Sequence, residues 1–171
     1  MGTLAITLYV LFSMLAVIYF DVTRYIIPNW LVGSLLAIYP LAVWMTPGEV
    51  DWKMALAAMA VTFAVGYVVF AMRWMGGGDI KLIIVCALWV GMKHLPDFII
   101  ITALLGGIFA LALWSARKLL PHLVKRETPW PRILREGEPV PYGVAIALAM
   151  LKMVWVGALS VLLVIPVVAV H

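Results

Sequence analysis

Residues 75–90, MGGGDIKLIIVCALWV, decide the fold, because three glycines lead a carboxylate directly into an apolar run. The whole chain is similarly apolar, with 66% hydrophobic and 12% charged residues among 171 and a mean hydropathy of +1.13. A small soluble core could not bury so much apolar surface. The runs between charged interruptions approach the length of about 20 residues that a helix needs to cross a bilayer core of roughly 30 Å.

The pattern of apolar runs predicts an all-α, polytopic integral membrane protein with about six transmembrane helices. We expect one membrane-embedded domain over residues 1–171 and no soluble domain. No Lys or Arg precedes the first run, which indicates a retained helix rather than a secretory signal. A long polar connection, roughly 117–140, is expected before the last helix, with a short amphipathic piece at 130–134. The predicted helices are 3–20, 30–46, 53–72, 80–93, 97–117 and 141–168.

The basic residues predict the orientation in the membrane. Nine of the twelve lie in the connections after the first, third and fifth helices: Arg24, Arg73, Lys81, Arg117, Lys118, Lys125, Arg126, Arg132 and Arg135. The positive-inside rule places these connections in the cytoplasm and both termini on the non-cytoplasmic side. The net charge of +4 is thereby explained by topology and a bilayer partner, so no nucleic-acid partner is expected.

Cysteine and histidine are too few and too scattered for a metal centre. Cys86 is the only cysteine, and His94, His122 and His171 show no ligand spacing. We expect no metal, no disulfide within the chain and no cofactor.

Two aspartates stand out from the other acidic residues because each adjoins an apolar run. Asp21 follows LYVLFSMLAVIYF and Asp79 precedes IKLIIVCALWV. A charged side chain costs about 2.5–3.5 kcal/mol at the centre of a membrane helix and less near its ends. The predicted topology puts both carboxylates on the cytoplasmic side, where they can meet. Two neighbouring carboxylates share a proton, so one can activate water while the other donates to a developing oxyanion.

The glycines before Asp79 admit two interpretations. Gly76, Gly77 and Gly78 allow positive φ and close approach of another chain, as expected where a short helix starts at a water-filled notch. Alternatively the glycines form only a turn, and Asp79 is the N-cap of its helix.

Three motifs carry a resemblance to a known family. Residues 21–29, DVTRYIIPN, resemble the D-x5-IPN motif of type IV prepilin peptidases, and residues 76–79, GGGD, match their G-x-G-D motif. Residues 139–146, PVPYGVAI, are similar to the family's VPYG-type start of the last helix. The likeness covers essentially the whole chain. It implies a membrane aspartic endopeptidase of the GxGD class in which Asp21 and Asp79 are the catalytic pair.

The resemblance also implies a substrate and a location. Such enzymes remove the short basic leader of pilin-like precursors at the cytoplasmic face of the inner (cytoplasmic) membrane, and the pilus assembly machinery is a further expected partner. Larger relatives carry a paired-cysteine region and methylate the new N-terminus. This chain lacks that cysteine pair, so we expect no methyltransferase domain or activity, as in the short form that serves Flp-type pili.

Further residues in these motifs have either a substrate-binding or a structural role. Pro28 and Asn29 suit the start of the second helix, and Lys81 either tunes the aspartates or lies at the membrane interface. The complete set is Gly76, Gly78, Lys81, Pro28, Asn29, Pro141, Tyr142 and Gly143.

Three alternative functions remain open at this point. An archaeal-type preflagellin peptidase would share both aspartates. A proton-coupled transporter would also have boundary carboxylates and a broken helix, although no carboxylate lies near the middle of a predicted span. A non-catalytic subunit of a pilus or secretion machine is the third.

Overall fold

A computed structural model describes residues 2–46, 50–123, 131–135 and 137–157. Within these ranges the chain is helical and contains no strand, so the all-α prediction is confirmed. The elements are α1 (Gly2–Arg24), α2 (Asn29–Met45), α3 (Trp52–Ala71), α4 (Gly77–Leu123), a 3₁₀ helix (Arg132–Leu134) and α5 (Tyr142–Trp155).

Several of these helices have the character of membrane spans. Leu4–Arg24, Trp52–Ala71 and Gly77–Leu120 are long and apolar enough to cross a bilayer, and α2 and α5 are shorter apolar helices. Large apolar side chains such as Phe12 and Phe63 point outward and are more than half exposed. An apolar exterior of this extent suits contact with lipid.

Helix α4 is broken at Gly91, where φ is 73° and ψ is 168°. Only glycine adopts this backbone conformation readily. A straight helix of 47 residues would be about 70 Å long, more than twice the thickness of a bilayer core. Instead, Asp79 near its start lines the same cavity as Pro139, and Arg117 near its end donates a hydrogen bond to the Pro139 carbonyl. The chain therefore reverses direction at Gly91.

The predicted fourth and fifth helices thus form the two segments of α4, and the predicted connection between them was misplaced. Residues 93–96 are helical rather than a loop. Pro96 is the fifth residue after the break, so its missing N–H removes one backbone hydrogen bond near the start of the segment without ending the helix.

The predicted ends of three helices also differ from the structure. Helix α1 extends to Arg24 rather than residue 20, and α4 extends to Leu123, which shortens the polar connection. Helix α5 ends at Trp155, and Gly157 follows with φ of 69°. Residues 158–168 of the sixth predicted helix lie outside the described residues, as does position 130 of the predicted amphipathic piece.

Polar contacts between helices fix the packing of α4 against α2. Trp89 is fully buried and donates its indole N–H to the Leu35 carbonyl at 3.1 Å. Its ring meets Tyr39 edge-on, with ring centroids 5.4 Å apart. Such bonds add specificity where apolar surface alone cannot distinguish a helix from lipid. The first segment of α4 is thereby fixed at a defined depth in the bundle.

Candidate active site

Asp21 lies in the last turn of α1 and is only 5% exposed. The helix ends through Tyr25, which has φ of 54° and donates its N–H to the Asp21 carbonyl at 3.0 Å. Positive φ is costly for a residue with a side chain and is the usual way to terminate a helix. This turn directs residues 26–29 back across the end of α1, where Ile26, Ile27 and Asn29 line the same cavity as Asp21.

The N-terminus of α5 holds the Asp21 carboxyl group. Val144, the third residue of α5, donates its backbone N–H to Asp21 Oδ2 at 3.1 Å, and the Gly143 N–H also faces this carboxyl group. The first N–H groups of a helix have no partner within the helix and favour an anion. The unfavourable position of an anion at the C-terminus of α1 is therefore offset by α5.

Asp79 lies in the first turn of α4 and is half-buried. Because α4 begins at Gly77, Asp79 is the third helical residue, and the interpretation of Asp79 as the N-cap is wrong. A carboxylate in the first turn is nevertheless favourable to the helix. The carboxyl group lies on the same cavity as Asp21.

Gly76 and Gly77 are closely packed, and none of the three glycines has an unusual backbone conformation. None of them has positive φ, so that expectation was wrong; the positive φ in this connection is at Arg73, with 57°. A β-carbon at Gly76 would lie 3.0 Å from Asp79 Oδ2, and one at Gly77 would lie 3.3 Å from the Phe70 ring. At Gly78 the nearest atom would be 3.5 Å away, an ordinary contact.

A cavity of about 1010 Å³ contains both aspartates. The two carboxyl groups are close enough to interact electrostatically. The helix ends around the cavity are the C-termini of α1 and α3 and the N-termini of α2, α4 and α5. Among the other predicted residues, Gly76, Gly78, Lys81, Asn29 and Tyr142 also line the cavity, whereas Pro28, Pro141 and Gly143 do not.

Lys81 and Asn29 form a direct link between α4 and α2. The Lys81 ammonium donates to Asn29 Oδ1 at 3.2 Å. Pro28 rather than Asn29 is the N-cap of α2, and its carbonyl accepts from the N–H of Leu31 at 3.1 Å. The expected capping role of the asparagine side chain was therefore wrong. Pro141 is the corresponding N-cap of α5, and its side chain makes no capping bond.

Arg117 organises the segment before α5, a role that the sequence reading did not assign. Its guanidinium donates to the backbone carbonyls of Ile133 at 3.0 Å, Glu138 at 2.7 Å and Pro139 at 3.1 Å. Arginine suits this position because its planar group presents several fixed donors. The positive-inside rule already accounted for the positive charge of Arg117, so nothing in the sequence indicated a further structural role for it.

Tyr25 is a second residue that sequence reasoning missed. Its hydroxyl oxygen has neither solvent access nor a hydrogen-bond partner, and the Arg132 guanidinium lies 4.9 Å from its ring centroid. Arg132 also pairs with Glu138 at 3.1 Å. Burial, followed by the charge of Glu138, raises the pKa of Tyr25 above its ordinary value of 10.0, so the hydroxyl stays protonated at neutral pH. Tyr25 lines the same cavity as Asp21.

Among the described residues, no group of three or more His, Cys, Asp or Glu side chains could hold a metal ion. Comparison with known proteins matched a protein family. A family model described as the type IV leader peptidase family matches residues 8–111, more than half of the chain, and this range includes both aspartates. No curated protein and no solved structure matches the chain significantly.

Proposed function

Because the chain belongs to the type IV leader peptidase family, we propose that it is a membrane aspartic endopeptidase that removes the short leader from pilin-like precursors. The observation that carries this proposal is the placement of Asp21 and Asp79, distant in sequence, on one cavity at one end of the helical bundle. The family membership favours hydrolysis over proton-coupled transport or a purely structural role.

The reaction follows from the two carboxyl groups. The ionised member removes a proton from water, whose oxygen attacks the scissile carbonyl carbon. The protonated member donates to the developing oxyanion, and a proton then reaches the leaving amine as the peptide bond breaks. The hydrogen bond from Val144 fixes the Asp21 carboxyl group, so the group is oriented before substrate arrives. The two members act as one coupled pair.

We propose further that this cavity opens to the cytoplasm, with six spans and both termini on the opposite side of the inner membrane. Arg73, Lys81, Arg117 and Arg132 all lie at the cavity end of the bundle, which supports this orientation through the positive-inside rule. The substrate class is a Flp-type precursor, and a preflagellin-type precursor is the alternative. With Cys86 as the single cysteine, the enzyme cleaves without methylating.

The test is cleavage of a co-expressed Flp-type or preflagellin-type precursor, read by gel shift. Asp21→Asn and Asp79→Asn are each expected to abolish cleavage while accumulating in the membrane like the wild type. Asp51→Asn is the matched control: Asp51 caps α3 through the Met54 N–H at 3.1 Å, and asparagine caps equally well. Cleavage at the wild-type rate by either of the first two variants would exclude the two-aspartate mechanism.

A further inference from the structure

A cavity of about 550 Å³, the lysine cavity, lies at the end of the bundle opposite the aspartates. Its charged and polar lining residues are Lys93, His94, Asp97 and Lys152. The first three closely follow the break of α4 at Gly91, and Lys152 lies in the last turn of α5. Val144, which holds Asp21, is eight residues before Lys152, about 12 Å away along the same helix. The described residues that line the lysine cavity line no part of the aspartate cavity.

The two lysines of this cavity are not explained by the topology of the chain. Three basic residues lie outside the connections to which the positive-inside rule applies, and they are Lys53, Lys93 and Lys152. Two of these three converge on one cavity. Neither of the two ammonium groups makes an ion pair or a hydrogen bond within the part of the chain that the structure describes. A bound anion would account for both.

The charges around the lysine cavity favour an anion. The two ammonium groups outnumber the single carboxylate of Asp97, whose Oδ2 lies 3.9 Å from Nδ1 of His94. The Asp97 side chain is 67% exposed, so solvent screens much of its charge. The imidazole ring of His94 can add a hydrogen-bond donor. A phosphate group fits these surroundings.

The rest of the lining is apolar and continues onto the outer surface of the bundle. It consists of Ile100, Ile101, Met153, Val156 and Gly157. Ile100 and Val156 are more than half exposed, so they belong to the apolar exterior that suits contact with lipid. A free phosphate ion gains nothing from such a surface, whereas a phosphate that carries acyl chains buries apolar area against it. The volume lies within the range of about 300–1,000 Å³ usual for small-molecule sites.

We propose that the lysine cavity binds the headgroup of an anionic phospholipid. The phosphate lies between Lys93 and Lys152, and the acyl chains lie along the exposed faces of Ile100 and Val156. A lipid bound in this way links the second segment of α4 to the end of α5. The site is independent of the proposed peptidase chemistry, because it lies at the other end of both helices.

The experiment measures the Kd of the purified, delipidated full-length protein for phosphatidylglycerol in neutral detergent, by native mass spectrometry. Lys93→Gln and Lys152→Gln are each expected to weaken binding about fivefold, and the double variant about 25-fold. Lys53→Gln is the matched control and should stay within twofold of the wild type. Lys53 lies in the first turn of α3, at the same end of the bundle, and does not line the cavity.

A variant with the opposite effect separates loss of the site from misfolding. Asp97→Asn removes the carboxylate from the cavity, so phosphatidylglycerol should bind about two to five times more tightly. A damaged fold would not produce such a gain.

Three results would overturn the proposal. Equal affinity for phosphatidylcholine would show that the headgroup charge is not recognised. Equal affinity for inorganic phosphate, measured in the same way, would identify a site for a free anion rather than a lipid. A loss in Lys53→Gln as large as in Lys93→Gln would indicate general attraction to the basic surface.

Cleavage of precursor is not a readout of this experiment. A wild type that binds phosphatidylglycerol but cuts no precursor would refute the proposed function and leave the lipid site supported. A wild type that cuts precursor with the lysine variants binding lipid normally would refute the lipid site alone.

Discussion

Replacing Gly143 with alanine should displace the Asp21 carboxyl group. The added β-carbon would lie 2.7 Å from Asp21 Oδ2, 2.9 Å from Ile27 Cδ1 and 3.0 Å from Asp21 Cγ. Carbon–oxygen contacts normally begin at about 3.3 Å, so the oxygen must move by roughly 0.6 Å or α5 must shift outward. Either movement strains the 3.1 Å hydrogen bond from Val144.

Gly143→Ala is expected to lower the cleavage rate more than it lowers the stability of the protein. Overpacking of this kind typically destabilises a protein by about 1–3 kcal/mol, part of which the short Asp21 side chain can relieve by rotating. Catalytic geometry tolerates less, because misplacement by about 1 Å can cost a factor of about 100 in rate. We therefore expect Gly143→Ala to accumulate in the membrane and to cleave precursor about ten to a hundred times more slowly.

The assay compares initial cleavage rates at equal enzyme levels, with Gly33→Ala as the control. Both variants make the same chemical change within the first residues of an apolar helix, but the β-carbon at Gly33 meets no atom within 4 Å. Cleavage by Gly143→Ala within twofold of the Gly33→Ala rate would refute the reasoning. It would mean that the position of Asp21 imposed by α5 is irrelevant to turnover.

Three further predictions concern the supports of the site. Arg117→Gln removes the guanidinium group that donates hydrogen bonds to three backbone carbonyls. Residues 131–140 should therefore become more sensitive to trypsin, and precursor cleavage should fall at least tenfold. Lys81→Met breaks the exposed 3.2 Å bond to Asn29, worth about 0.5–1.5 kcal/mol, so cleavage should slow less than tenfold in a rate assay. Trp89→Phe removes the buried bond to the Leu35 carbonyl and should lower the thermal midpoint, by an amount equivalent to about 1–3 kcal/mol, in a detergent unfolding assay.

Neighbouring residues supply the controls for these variants. Lys118→Gln changes a charge next to Arg117 without touching the carbonyls, and Trp44→Phe changes a tryptophan that is 75% exposed. If Arg117→Gln and Lys118→Gln were equally sensitive to trypsin, the role of Arg117 in holding the segment before α5 would be contradicted. Loss of cleavage in Lys81→Met as complete as in Asp79→Asn would place Lys81 in the chemistry itself. An equal loss of stability in both tryptophan variants would contradict the buried-bond argument.

The sequence was sufficient for the all-α fold and for the placement of Asp21 and Asp79 on one cavity. A long apolar run in a membrane protein forms a helix. Because successive helices cross the membrane in alternating directions, the end of the first helix and the start of the fourth lie at the same end of the bundle. The break in α4 was misplaced because 93–96 combines charge with proline, which resembles a loop. The helix continues through Pro96, and the chain turns at Gly91 instead.

The contact between Gly143 and Asp21 and the positions of positive φ could not be predicted from the sequence, because both depend on how the helices pack. Gly143 was identified as a candidate, but its proximity to Asp21 depends on how α5 approaches α1 across the bundle. The left-handed conformations at Tyr25 and Arg73 are also determined by tertiary context, since neither residue favours them intrinsically. Intrinsic backbone preference predicted positive φ at the glycines 76–78 instead, but none of these glycines has positive φ.

The hydrogen bond from Val144 to Asp21 has a consequence for the order in which the protein is made. The two residues are 123 positions apart, so the carboxyl group is one of the first functional groups synthesised and receives its partner only after α5 has entered the membrane. A nascent chain that has just completed α4 carries both aspartates with one of them unrestrained. We expect a chain truncated at residue 140 to insert and accumulate without cutting precursor, so that proteolytic competence arises late in biosynthesis; cleavage by that truncated chain would disprove this.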